Sequence, residues 1–144
     1  MISGVDEVAI YAEVKIKPGK LLFYGSHELD LLFESRLRRQ ELRQEIIKKY
    51  DLHTDRDILI FSVPNLWEQN VVSEQIHWQS ITDILEVLSR QDVNVVISIH
   101  PHCDRSLYQW TEGKSSMKIS SERLKDILVV ADMFVAAYSS TIRW

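Results

Sequence analysis

Two apolar runs constrain this chain more than anything else in it. Ile58-Leu59-Ile60-Phe61-Ser62-Val63 and Val93-Asn94-Val95-Val96-Ile97-Ser98-Ile99 are hydrophobic at successive rather than alternate positions, as a strand reads when helices cover both of its faces. The first is stopped by Pro64-Asn65 and the second runs into His100-Pro101-His102-Cys103. Between them, Ser73 heads a stretch whose Ile76, Trp78, Ile81, Ile84, Leu85 and Leu88 fall on one side of a helix, closed by Gln91-Asp92. Strand, helix and strand joined by short links predict parallel pairing through a right-handed crossover.

The flanking segments extend the alternation. Residues 8–16 alternate near their end and break at Lys17-Pro18-Gly19-Lys20, which predicts an edge strand. Leu21-Leu22-Phe23-Tyr24, stopped by Gly25-Ser26, reads as the first core strand. Over residues 27–50, Leu29, Leu32, Phe33, Leu37, Leu42, Ile46 and Ile47 predict a long amphipathic helix, or two. Beyond His102 the pattern predicts a short helix over 104–110 and a weak strand at Met117-Lys118-Ile119. A helix capped by Ser120 or Ser121, with Leu124, Ile127, Leu128 and Ala131 buried, leads to a last strand over 132–137. The chain then stops at Ile142-Arg143-Trp144, where a further helix is expected to begin. The fold class expected is α/β: three layers, Rossmann-like, with a mostly parallel sheet between helices.

Composition narrows the function classes. With 144 residues, 45% hydrophobic and 26% charged, the chain is sized for one domain. A formal net charge of −4 gives no electrostatic footprint for nucleic acid or anionic membrane. Cys103 is the single cysteine, which excludes an intrachain disulfide and a cysteine-built zinc cluster. No basic leader with an apolar core opens the sequence, and no run nears the roughly 20 apolar residues of a membrane span. A cytoplasmic location fits these features. Neither a GxGxxG nor a Walker motif is present, so any nucleotide is held another way.

Ligands of parallel α/β sheets collect outside the carboxyl ends of the strands. That rule points to Gly25-Ser26, to residues 64–68, to residues 100–103 and to residues 139–141. His100 follows a buried strand directly, and Pro101 forces it out of helical geometry, so its imidazole is placed to donate to a phosphate or sugar hydroxyl. Ser139, Ser140 and Thr141 put three hydroxyls and backbone N–H groups where a helix is expected to start, which suits a diphosphate; plain N-capping needs only one of them. Glu68, Glu74, His77 and Trp78 follow the Pro64-Asn65 strand end, where a carboxylate suits ribose or sugar hydroxyls, although acids also suit a helix start. His27, Glu28 and Asp30 read as a helix N-terminus rather than a metal site. Cys103 has no base placed to activate it and reads as a small buried hydrophobe.

In order along the chain, Gly25-Ser26-His27-Glu28-Leu29-Asp30, the strand of residues 58–64, Ile99-His100-Pro101, Ala131-Asp132 and Tyr138-Ser139-Ser140-Thr141 resemble the second, nucleotide-sugar-binding domain of GT-B-fold enzymes. That group includes glycosyltransferases of capsule and lipopolysaccharide synthesis, teichoic-acid glycerophosphotransferases and non-hydrolysing UDP-N-acetylglucosamine 2-epimerases. The resemblance covers residues 20–144 and leaves 1–19 as an edge strand or interdomain segment. It implies a domain incomplete at its C-terminus that binds a UDP- or CDP-linked sugar without metal or cofactor. His100 would lie against the diphosphate or sugar, Ser139 and Ser140 at phosphate, and Ser62 to Asn65 on the base or ribose side. The partner implied is the first GT-B domain, with the oligomeric state left open, and the half alone is not expected to turn over substrate. Two alternatives stand beside the transferase: an epimerase-like protein, which needs carboxylates at C2 of the sugar, and a noncatalytic module docking through Trp67, Trp78 or Trp144.

Overall fold

The computed structural model describes residues 27–113 and 117–137. The chain divides into two compact units after Ser35. Of the first unit only helical residues are described, and there the Ser35 hydroxyl donates to the Leu31 carbonyl at 2.8 Å. The expected strands at 8–16 and 21–24, and the loop bearing Ser139, Ser140 and Thr141, lie outside the described residues.

The element order is α1 (His27–Leu37), α2 (Arg39–Tyr50), β1 (Ile58–Ser62), α3 (Glu74–Ser89), β2 (Asn94–Ser98), a 3-10 helix (Arg105–Gly113), β3 (Met117–Ile119), α4 (Leu124–Ile127), a 3-10 turn (Leu128–Val130) and β4 (Met133–Ala136). The four strands form one all-parallel sheet in the order β3-β2-β1-β4. This is the α/β, Rossmann-like architecture expected. β1 pairs with β2 on one side and β4 on the other, so both of its hydrogen-bonding edges are taken. The chain moves outward from β1 to β3 and then crosses to the far side of β1, which makes the β1/β4 boundary a topological switch point.

Side chains of successive strand residues face opposite ways, and the core divides accordingly. Leu59, Phe61, Val63, Val95, Ile97, Met117 and Ile119 face α3, packing on Ile81, Leu85 and Leu88 together with Tyr108. Ile58, Ile60 and Val96 face the opposite way, against Ile46, Leu52, Ile127 and Val130. Fully burying each of these aliphatic side chains contributes roughly 1.5–3 kcal/mol.

The ends of the strands are tied by polar groups. Asn94 is completely buried, its Oδ1 accepting from the His53 N–H at 2.9 Å and its Nδ2 donating to the His53 carbonyl at 2.8 Å, which fastens the link between α2 and β1 onto β2. Asp132, ahead of β4, accepts from Arg39 and Arg43 at 2.6 Å each and from the Ile58 N–H at 2.9 Å. Its carboxylate thus joins α2, β1 and β4. Burial would raise its pKa, but the Ile58 N–H and the two guanidiniums outweigh burial and hold it below the ordinary carboxylate range.

Several local expectations are corrected. Of the one helix or two expected over 27–50, two form, separated at Arg38 (φ −104°, ψ 15°). Leu37 is 77% exposed rather than buried, because the stripe of α1 does not continue into that of α2. Ile76, placed on the buried side of α3, is exposed, although Ser73 does cap that helix by accepting from the Ile76 N–H at 3.3 Å. Neither Ser120 nor Ser121 caps α4: Arg123 occupies that position and the Ser120 hydroxyl instead accepts from the Glu122 N–H at 3.1 Å. The α-helical pattern at 124–131 tightens to 3-10 geometry at Leu128, and the short helix expected over 104–110 is a 3-10 helix at Arg105–Gly113.

Candidate functional site

The last rung of the β1/β2 ladder pairs Ser62 with Ser98. Both stand on the sheet face that carries Ile60 and Val96, so their side chains emerge at the carboxyl edge on the α4 side. There the sheet borders a cavity of about 480 Å³, lined by Ser62, Ser98, His100, Arg105, Ser120 and Lys125 among others. That volume suits a small-molecule site, and its place follows from parallel strands ending together.

His100 has a defined tautomer. Its Nδ1 faces two N–H donors, the His102 backbone at 3.2 Å and the Asn65 side-chain amide at 3.4 Å. A nitrogen facing two donors accepts, so the proton of the neutral ring sits on Nε2, which has no hydrogen-bond partner among the described residues. Burial lowers the His100 pKa and the neighbouring His102 lowers it further, while Glu68 pulls the other way. The Cys103 N–H donates to the His100 carbonyl at 2.9 Å, closing residues 100–103 into a turn.

Arg105 spans the cavity floor. Its guanidinium donates to the carbonyls of Ser120 at 2.6 Å and Ile119 at 2.9 Å, tying the 3-10 helix to the end of β3. Glu122, the one carboxylate on the lining, is already bonded by Lys49, by the Tyr50 hydroxyl and by Ser120 Oγ at 2.9 Å. Burial opposes its ionisation, but those donors carry its pKa down to about 2. Arg123 pairs with Asp126 at 2.9 Å. The carboxylate is therefore balanced by Lys49, while Arg105 and Lys125 leave the lining with a positive excess.

Beneath the His100 turn lies a buried polar chain. Tyr108 is fully buried, and its hydroxyl sits 2.9 Å from His77 Nε2 and 3.2 Å from Glu68 Oε1. The tyrosine hydroxyl donates to the carboxylate, so His77 Nε2–H donates to the tyrosine oxygen. The Cys103 thiol lies against the same carboxylate, whose other oxygen, Oε2, is buried with no hydrogen-bond partner among the described residues. Burial works to raise the Glu68 pKa, yet Cys103, its own backbone N–H, His77 and Tyr108 hold it below the ordinary value. Burial raises the Cys103 thiol to about 12. It also raises Tyr108, and it depresses His77 against the pull of Glu68 and Glu74.

The residues singled out from sequence therefore separate. Ser62 and His100 line the cavity and Asn65 bonds His100 at its rim. Glu68 lies underneath, in the buried chain. His77 is core, and Glu74 accepts from the Trp78 indole at 3.3 Å on α3. Trp67 and Trp78 are partly buried and pack on one another, with ring centroids 5.9 Å apart, and on His77, and Trp144 lies outside the described residues. Ser98, Arg105, Lys125 and Tyr108 were not singled out, and Ser120 was read only as a helix cap. Only Ser98 carried a signal, as the polar residue at the end of a buried strand. No protein-family model, no curated protein and no solved structure matches this chain.

Proposed function

We propose that this chain is the nucleotide-sugar-binding half of a GT-B glycosyltransferase-like enzyme of surface polysaccharide synthesis. The observation that carries the reading is the meeting of Ser62, Ser98, His100 and Ser120 around one cavity at the carboxyl edge of a parallel sheet ordered β3-β2-β1-β4. That order matches the first four strands of the doubly wound dinucleotide-binding sheet, and the carboxyl edge is where such sheets take ligands. The His100 Nε2–H, the serine hydroxyls and the positive excess of Arg105 and Lys125 suit an anion bearing hydroxyl groups. Donors so placed stabilise charge developing on a departing nucleoside diphosphate.

An epimerase requires a carboxylate free to take the proton at C2 of the sugar. Glu122 is bound by Lys49 and Tyr50 and Glu68 lies in the buried chain, so the transferase reading comes first. Isothermal titration calorimetry with UDP, CDP and their N-acetylhexosamine conjugates tests it. Binding that weakens in His100→Ala and Ser62→Ala is expected. No heat with any of them at millimolar ligand, together with an unperturbed His100 resonance, overturns it.

A further inference from the structure

The turn after β1 carries two residues toward the His100 loop. The Gln69 N–H donates to the Asn65 carbonyl at 3.2 Å and the Val71 N–H to the Leu66 carbonyl at 2.8 Å, so residues 65–71 wind as a helical turn. Positions three apart in such a turn share a side. Asn65 meets the His100 ring directly, and Glu68 reaches Cys103 and Tyr108 underneath.

We propose that Glu68 is a positioning residue for His100, holding residues 100–103 from beneath and setting, through the charge on its carboxylate, how readily the imidazole takes a second proton, at Nδ1, and so carries a positive charge toward an anionic ligand. The inference rests on the proposed function only in treating His100 as the ligand-facing donor. One oxygen of Glu68 accepts from the Tyr108 hydroxyl at 3.2 Å and the other is buried with no hydrogen-bond partner among the described residues, while Cys103, whose N–H donates to the His100 carbonyl at 2.9 Å, lies against the same carboxylate. In a poorly solvated setting such a charge acts strongly on its neighbours.

The other groups around His100 do not substitute for Glu68. His102, from the same loop, stands with its ring centroid 5.1 Å away and disfavours a second cation. Arg105, Arg123 and Lys125 line the cavity as cations, and Glu122 is matched by Lys49. Asn65 is neutral and its N–H favours the unprotonated Nδ1. Among the described residues Glu68 is thus the carboxylate left to favour imidazolium, which agrees with the direction of its pull on His100.

The test is a nitrogen-15 NMR titration of the His100 ring, assigned by its loss in His100→Gln, in the ligand-free wild type, Glu68→Gln and Glu68→Asp. Glu68→Gln keeps the shape and an acceptor for Tyr108 while removing the charge, and a downward shift of the His100 midpoint is expected. Glu68→Asp keeps the charge but withdraws it by one methylene, and a smaller downward shift is expected. A purely structural Glu68 lowers stability in both variants without moving the midpoint. An unmoved or upward midpoint in whichever variant folds overturns the proposal. Because no ligand is present, a downward shift together with no heat from UDP supports this role and removes the nucleotide-sugar reading alone.

Discussion

The side-chain amide of Asn65 lies 3.4 Å from Nδ1 of His100, linking the chain leaving β1 to the chain leaving β2. The contact spans two neighbouring strand ends and commits the imidazole to one tautomer. Asn65→Ala removes one of the two donors that favour the unprotonated nitrogen. The His100 midpoint is expected to rise, opposite in sign to Glu68→Gln, and the two variants can be read in the same NMR titration.

His77 is 3% exposed and its pKa is depressed, chiefly by burial. The unfolded chain then binds more protons than the folded one as pH falls through the ordinary histidine range. Stability is therefore full above that range and declines as pH drops from about 6.5 toward the depressed folded value. Urea unfolding at pH 7.5 and 5.5 is expected to show the loss, and His77→Gln to remove most of its share.

Glu122 titrates with the opposite consequence. Its folded pKa of about 2 lies below the ordinary carboxylate value of 4.5. Its contribution is present above that unfolded value and is lost as pH falls from there toward the folded one. Glu122→Gln weakens the acceptor for Lys49, Tyr50 and Ser120 and is expected to cost about 1–3 kcal/mol at pH 7. Acid unfolding followed by circular dichroism is expected to flatten between pH 4.5 and pH 2 in the variant.

The Cys103 thiol is 9% exposed, pushed up to about 12 and set against the Glu68 carboxylate. The thiolate is the reactive form, so native protein at pH 8 is expected to resist iodoacetamide and to react promptly in 6 M guanidinium. Mass spectrometry over an hour distinguishes the two, and rapid labelling of the native chain contradicts the described environment.

Asp132→Asn weakens the acceptor shared by Arg39, Arg43 and the Ile58 N–H and leaves two guanidiniums side by side. A loss of about 2 kcal/mol or more is expected from equilibrium unfolding. An effect below a few tenths of a kcal/mol is inconsistent with the bridge.

What could be read from the chain followed from how local its cause was. β1 and β2 were legible because burial on both faces writes continuous hydrophobicity into Ile58–Phe61 and Val95–Ile97, and Ser73 because a cap is decided within three residues. The start of α4 was misread because Ser120 and Ser121 are competent caps locally, whereas Glu122 is drawn away by Lys49 and Tyr50, more than seventy residues earlier. Pro101 announced His100, since proline constrains its immediate neighbour. Nothing near Glu68 announces Tyr108, forty residues on, or the unshared oxygen that gives that carboxylate its weight. Arg105 sits in a polar run without periodicity and meets the cavity only once β3 has joined the sheet.

The central position of β1 bears on the order in which a ribosome can complete this unit. The Ile58 N–H takes its partner from Asp132, 74 residues later, and the far edge of β1 stays open until Met133–Ala136 has been made. A nascent chain long enough to contain β1, β2 and His100 still presents an unpaired apolar strand, the kind of edge on which growing chains misassociate. Translational pausing before residue 132 would prolong that exposure, so the sheet edge that frames the cavity is among the last parts of the unit to be secured during synthesis.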